Sequence, residues 1–203
     1  METVRPPRPL HDPVALFQQL LTQAQRLPKE QMPEPTAFAL ATVGDDGQPS
    51  VRMLLLKHAD ADGFVFYTNL ESRKARELIR NHKAAMCFHW APLERQVRVE
   101  GRVTRVDDAE ADAYFATRPR GSQLGAWASR QSRPMDHVGD LATRLAEYEK
   151  QFGTGPVPRP PFWSGFRLAP DLIEFWHGKP SRLHERQQFV RDGNGWRVSR
   201  LYP

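Results

Sequence analysis

The chain has 203 residues, 39% of them hydrophobic, and a formal net charge of +5. That length suits a single domain over 1–203 with a sizeable core, and no apolar run approaches the roughly 18 residues that a membrane-spanning helix needs. One cysteine, Cys87, excludes an intramolecular disulfide and fits a reducing cytoplasm.

Residues 1–11 read as an irregular arm with no hydrophobic leader. Asp12 and Pro13 then open a helix, the first as cap and the second in the first turn. Its apolar face is Val14, Phe17, Leu20, Leu21 and Ala24. Strands are expected over 36–43, 51–57 and 64–68, separated by the turns Gly44-Asp45-Asp46-Gly47 and Asp60-Ala61-Asp62-Gly63. A helix over 72–81 and strands over 84–90 and 96–106 follow. Asp107 and Glu110 begin a further helix in capping-box fashion. Next come a helical turn at 122–128, a longer helix over 136–152 and a proline-rich connection at 155–161. Strands at 165–168, 172–176, 183–191 and 196–201 complete the chain, the last two joined by the hairpin turn Asp192-Gly193-Asn194-Gly195. Strands with helices inserted, lacking regular βαβ alternation, predict a mainly β (α+β) antiparallel barrel with peripheral helices.

Four basic clusters stand out. In Arg52-Met53-Leu54-Leu55-Leu56-Lys57, cations bracket an apolar strand. Strict alternation turns Arg52 and Lys57 to opposite faces, so either a bulge re-aims one or they serve different partners. Tyr67, Thr68, Arg73 and Lys74 surround a strand-to-helix corner. Free backbone amides, a hydroxyl and two cations there make a phosphate cradle, and cations at a helix N-terminus are unfavourable unless an anion is bound. Tyr114 and Arg118 share a helix face, with Ser122 just beyond. Arg182, His184 and Arg186, at i, i+2 and i+4, share one face of a strand and repel one another unless an anion lies between them. A solvated basic surface is the alternative reading of each cluster. Together they suggest two anionic groups, one on a cofactor and one on a substrate. No metal-ligand spacing occurs among the histidines, and there is no P-loop or glycine-rich dinucleotide fingerprint.

These segments, with Glu94-Arg95-Gln96-Val97-Arg98-Val99-Glu100-Gly101, Arg118-Pro119-Arg120-Gly121-Ser122-Gln123-Leu124-Gly125-Ala126-Trp127 and Gln131-Ser132, resemble the pyridoxamine 5'-phosphate oxidase family. The similarity runs in order from Asp12 to Pro203. It implies a split β-barrel binding FMN at a homodimer interface, without nucleic acid or membrane partners. It also implies oxidation of pyridoxamine or pyridoxine 5'-phosphate to pyridoxal 5'-phosphate, with O2 giving H2O2. By this resemblance the run Arg52, Met53, Leu54, Leu55, Leu56 and Lys57, together with Tyr67, Thr68, Arg73 and Lys74, holds FMN. Gln96, Gln131, Ser132, Trp176 and Arg186 complete that site, some of them from the second subunit. Lys57, Tyr114, Arg118 and Ser122 hold the substrate phosphate. Arg182, Leu183 and His184 lie against the substrate ring, with Arg182 and His184 as the catalytic pair. One departure is expected to matter: a short segment before the first helix, where the family has a basic and aromatic arm that can close over substrate; Glu185, where Asp is common, is a mild change. The alternatives are a related flavin oxidase acting on a phenazine-type substrate, a non-catalytic flavin or pyridoxal phosphate carrier, and a basic nucleic-acid-binding barrel.

Overall fold

The computed structural model describes residues 12–203, so the arm expected over 1–11 lies outside the described residues. Helix α1 (Pro13–Gln25) starts as expected, with the Val14 amide donating to the Asp12 carboxylate at 2.9 Å. Two hairpins follow, β1 (Ala37–Val43) with β2 (Pro49–Leu55), then β3 (His58–Asp60) with β4 (Gly63–Asn69). Helix α2 (Arg73–Asn81) leads into β5 (Lys83–Trp90) and β6 (Arg95–Arg105). Helices α3 (Asp108–Thr117), α4 (Arg120–Ala128) and α5 (Asp140–Phe152) form an insertion before β7 (Trp163–His177), β8 (Glu185–Asp192) and β9 (Gly195–Leu201).

The nine strands make one sheet in the order β2-β1-β5-β6-β7-β4-β3, with β8 added to β7 and β9 to β8. Every pairing is antiparallel, and the sheet curls into a half-barrel. Alternation along β1 sends Phe38 and Leu40 inward, and β4 and β5 add Phe64, Phe66 and Phe88. Helix α1 closes the concave side with Phe17, whose ring lies 4.8 Å from those of Phe64 and Phe88. A second cluster joins Phe115, Leu124, Val157 and Trp163 where the helical insertion meets the sheet.

Three expectations change. The separate strands expected at 165–168 and 172–176 are one strand, β7. Pro170, which has no amide hydrogen, is absorbed by a register shift between Glu100 and Gly101 on β6. Gly101 is required there, because a Cβ would stand 2.0 Å from the Ala169 carbonyl oxygen. The strand expected from Leu183 begins only at Glu185, because Pro180–Arg182 form a tight turn in which Ser181 and Arg182 have φ of 58° and 61°. Arg182 and His184 therefore lie outside the strand, and the shared-face argument for 182, 184 and 186 fails. The helix expected from Asp136 starts at Asp140, with Gly139 as a cap that offers no side chain.

Truncating Phe17 opens a cavity where rings from α1, β4 and β5 meet. Phe17→Ala should cost about 3–5 kcal/mol, read as a fall in unfolding free energy in chemical denaturation.

Candidate active site

A cavity of about 370 Å³ opens where the end of β2, strand β4 and the α3–α4 corner converge, and its lining includes Lys57, Tyr67, Thr68, Tyr114, Arg118 and Ser122. The parity question at Lys57 is settled by the end of the strand. β2 stops at Leu55, Leu56 turns into the core, and the Lys57 amide donates to the Val65 carbonyl at 2.9 Å. Within β2, Arg52 and Leu54 share the less exposed face, whereas Met53 and Leu55 are exposed and line an adjoining cavity.

The Tyr67 ring lies flat because β4 pairs it with Gly165 of β7. A Cβ at that glycine would stand 2.7 Å from Tyr67 Cε1. Burial, reinforced by the Glu110 and Tyr114 side chains, pushes the Tyr67 phenol up to about 12, so its proton stays in place. Arg118 lies just past α3 in extended conformation rather than within the helix. Its Nη1 is buried and has no hydrogen-bond partner. Burial also lowers its pKa, with Tyr114 opposing.

The strand-to-helix corner is tied to the loop after α4. Ser72 caps α2 by accepting the Ala75 amide. Lys74 Nζ donates to Thr68 Oγ1 at 3.2 Å, Ser72 Oγ at 3.2 Å and Gln131 Oε1 at 2.9 Å, all neutral acceptors. Asn69 reaches the Ser129 carbonyl, and Arg133 pairs with Glu71. These bonds bring Gln131 to the corner, with Ser132 next to it at φ 68°. Burial first, then the charge of Arg52, pull Lys74 down to about 8.

Arg52 and Arg73 have a different neighbour. Glu77, buried on α2, accepts from Ser50 Oγ at 2.8 Å and Arg73 Nε at 2.8 Å, takes a short bond from Thr42, and lies 3.5 Å from Arg52. Burial alone would raise its pKa, but the hydrogen bonds from Thr42, Ser50 and Arg73 outweigh it and hold the carboxyl at about 2. Nothing in the sequence reading singled out Glu77. Its position four residues after Arg73 on a helix was the available signal.

The remaining candidates gather elsewhere. Register aligns Gln96, Trp176 and Arg186 side by side across β6, β7 and β8. Arg186 grips buried Glu174 with Nε at 2.8 Å and Nη2 at 3.1 Å. The His184 ring lies 4.6 Å from Trp176, and its Nδ1 accepts the Lys179 amide at 3.2 Å. Arg182 and Leu183 are exposed. None of these residues lines the first cavity. No group of histidine, cysteine or carboxylate side chains suited to a metal occurs among the described residues.

A split half-barrel with cations held in neutral pockets defines a class of phosphate-ligand-binding barrels. Residues 27–150 match the family described as pyridoxamine 5'-phosphate oxidase, and residues 163–203 match the pyridoxine 5'-phosphate oxidase C-terminal dimerisation region. The chain belongs to the pyridoxamine 5'-phosphate oxidase family. A pyridoxine/pyridoxamine 5'-phosphate oxidase of Myxococcus xanthus (strain DK1622) is 54% identical over 100% of both chains. One from Gluconobacter oxydans is 56% identical over 95% of this chain and 94% of its own. The crystal structure of PhzG from Burkholderia lata 383, in complex with tetrahydrophenazine-1-carboxylic acid, aligns at TM-score 0.88 and 31% identity over 99% of this chain and 98% of that one. A pyridoxamine 5'-phosphate oxidase-related, FMN binding protein from Nostoc punctiforme shares the fold at TM-score 0.71 and 18% identity, over 100% of both chains.

The low carboxyl pKa makes Glu77 an acid-sensitive brace. Its folded value lies below its unfolded 4.5, so its contribution is present above that pH and is lost as pH falls towards about 2. Acid titration of stability should show a loss of at most about 3 kcal/mol over that window. Glu77→Gln should flatten that limb of the curve.

Proposed function

We propose that the protein is an FMN-dependent oxidase of vitamin B6 metabolism, converting pyridoxamine or pyridoxine 5'-phosphate to pyridoxal 5'-phosphate with O2 and releasing H2O2. The observation that carries this reading is Arg118, a half-buried side chain whose Nη1 is buried and unpartnered, in the cavity that also holds Lys57, Tyr114 and Ser122. That set suits a substrate phosphate. Lys74, bonded to Thr68, Ser72 and Gln131, is a second cation without a counter-ion among the described residues and suits the FMN phosphate. The cofactor, when bound, supplies hydride acceptance and reaction with O2.

The remaining roles belong to the chain. Tyr67 forms a flat wall between the two phosphate positions. Arg52 and Arg73, braced by Glu77, add positive charge on the cofactor side, beside the Met53–Leu56 run and Ser132. Arg182 orients substrate through its planar guanidinium. His184 is committed at Nδ1, which leaves Nε2 as the atom where a proton can be moved. Arg182 and His184, with Gln96, Trp176, Leu183 and Arg186, join the site from the second subunit of a homodimer. Support for the dimer is the separation of the two residue groups within one chain, together with the dimerisation region matched over 163–203. No helix among the described residues is long and apolar enough to cross a membrane, and we assign the enzyme to the cytoplasm on the strength of its lone thiol. A phenazine-type oxidase is the second reading, suggested by the PhzG alignment; loss of the Lys57, Tyr114, Arg118 and Ser122 set would be expected of it, and the set is present.

Adding pyridoxamine 5'-phosphate to the purified yellow protein without oxygen should bleach the flavin, and admitting air should restore it. A flavin that stays oxidised rejects the function. In turnover, Arg118→Ala should raise KM for the phosphorylated substrate by roughly 10- to 150-fold, the loss of one charge-assisted hydrogen bond. Its effect on an unphosphorylated vitamer should be small, because no anion is lost there.

FMN affinity should also report on Lys74. An anion favours the charged lysine, and the free protein loses that proton above about pH 8. The FMN dissociation constant, read by flavin fluorescence, should therefore rise above that pH by up to about tenfold per unit. Lys74→Met should bind weakly with little pH dependence.

A further inference from the structure

Arg118 has none of the anchors that fix the other arginines of this site. It sits beyond the end of α3, forms no ion pair among the described residues, and leaves Nη1 buried and unpartnered. What it touches is aromatic. Its Cζ lies 4.7 Å from the Trp163 ring centroid and 5.5 Å from that of Phe115. Trp163 is itself anchored. It is 6% exposed, and its carbonyl accepts from Arg159 Nη1 at 2.7 Å, while Arg159 is pinned to Asp112 and Asp108. Its ring runs nearly parallel to Tyr67, 5.3 Å away at 7°, and Tyr67 stacks on Tyr114 at 4.0 Å and 14°. Strand pairing fixes the Tyr67 end of this group, since only a glycine at 165 lets that ring lie against β7.

An arginine on an extended segment would otherwise sample many rotamers, and a flat ring beneath the guanidinium removes most of them while leaving its edge N–H groups free. We propose that Trp163 is the positioning residue for Arg118, holding the guanidinium edge-on to the cavity so that the pocket selects a phosphate monoester over the same ring without phosphate. This rests on the assignment of the substrate phosphate to Arg118. Trp163 acts through the arginine rather than on the reacting atoms.

The test is a double-mutant cycle on the flavin-loaded protein, titrated with pyridoxal 5'-phosphate and with pyridoxal and read by difference absorbance. Trp163→Leu should weaken pyridoxal 5'-phosphate about tenfold, and Trp163→Phe, which keeps a ring, about threefold. Pyridoxal affinity and FMN retention should stay within about twofold of wild type, and in the Arg118→Ala background neither Trp163 change should weaken pyridoxal 5'-phosphate further. If Trp163→Leu does not fold, the Trp163→Phe cycle decides alone. Equal losses for both ligands, or losses that add to that of Arg118→Ala, overturn the positioning role while leaving the proposed function standing. A wild-type protein that does not prefer the phosphorylated ligand overturns the phosphate assignment and the inference with it.

Discussion

Strand β7 is hydrogen-bonded along both edges, and both halves of the candidate site depend on how it does this. β6 follows it along one edge. On the other edge β4 pairs with 163–168 and β8 with 172–177. The change of partner falls at Pro170, where a missing amide hydrogen costs no ladder bond. The N-terminal half of β7 therefore carries Trp163 and Gly165 to the Tyr67 wall, and the C-terminal half carries Glu174 and Trp176 to Arg186. At about 3.3 Å per residue, positions 163 and 176 are separated by roughly 40 Å of strand contour. A ligand gripped by residues from both ends needs two copies of the chain, which gives the dimer a geometric reason beyond the burial of surface.

The cations divide by how they are compensated. Arg52 and Arg73 share Glu77, and Arg186 has a two-pronged bond to Glu174. Those cations are each paired with a carboxylate before any ligand arrives, although Glu77 balances only one of its two arginines. Lys74 and Arg118 are not so paired among the described residues, since one is surrounded by neutral oxygens and the other by aromatic rings. Burying an uncompensated charge costs folding free energy, so these two sites are where an arriving anion gains most. On the proposed function, affinity for phosphates would be tied to an instability accepted in the ligand-free fold.

The β1–β2 hairpin, the caps at Asp12 and Asp107, and the cavity set of Lys57, Tyr67, Thr68, Tyr114, Arg118 and Ser122 were legible in the sequence, because each rests on local spacing or on a motif, whereas the pairing of β4 with β7 was not. Nor were Trp163, Gly165 and Glu174. Their importance comes from strand register, which pairs Tyr67 with Gly165 and aligns Trp176 with Arg186 across chain distances that local patterning does not encode. The continuity of β7 through Pro170 was missed for a related reason. A proline in a strand reads as an interruption unless the register is known to shift beside it, as it does here where Asp171 of β7 is passed over between the Gly101–Pro170 and Glu100–Leu172 pairs.

The turn before β8 shows how a sound physical argument can rest on the wrong local geometry. As a strand, 182–186 would aim three cations from one face, and their repulsion would call for an anion between them. Instead Ser181 and Arg182 adopt left-handed conformations, each costing a non-glycine residue about 1–2 kcal/mol. The turn is held by the Gly178 amide on the Glu94 carbonyl at 2.8 Å and the Lys179 amide on His184 at 3.2 Å. Arg186 is drawn to Glu174, His184 lies against Trp176, and Arg182 is left exposed. The repulsion is relieved by geometry, so this segment by itself carries no argument for an anion. That argument belongs to Lys74 and Arg118, whose charges the fold leaves without a partner. The strained turn has a different consequence: it fixes His184 by its ring nitrogen and by Trp176, next to the exposed Arg182.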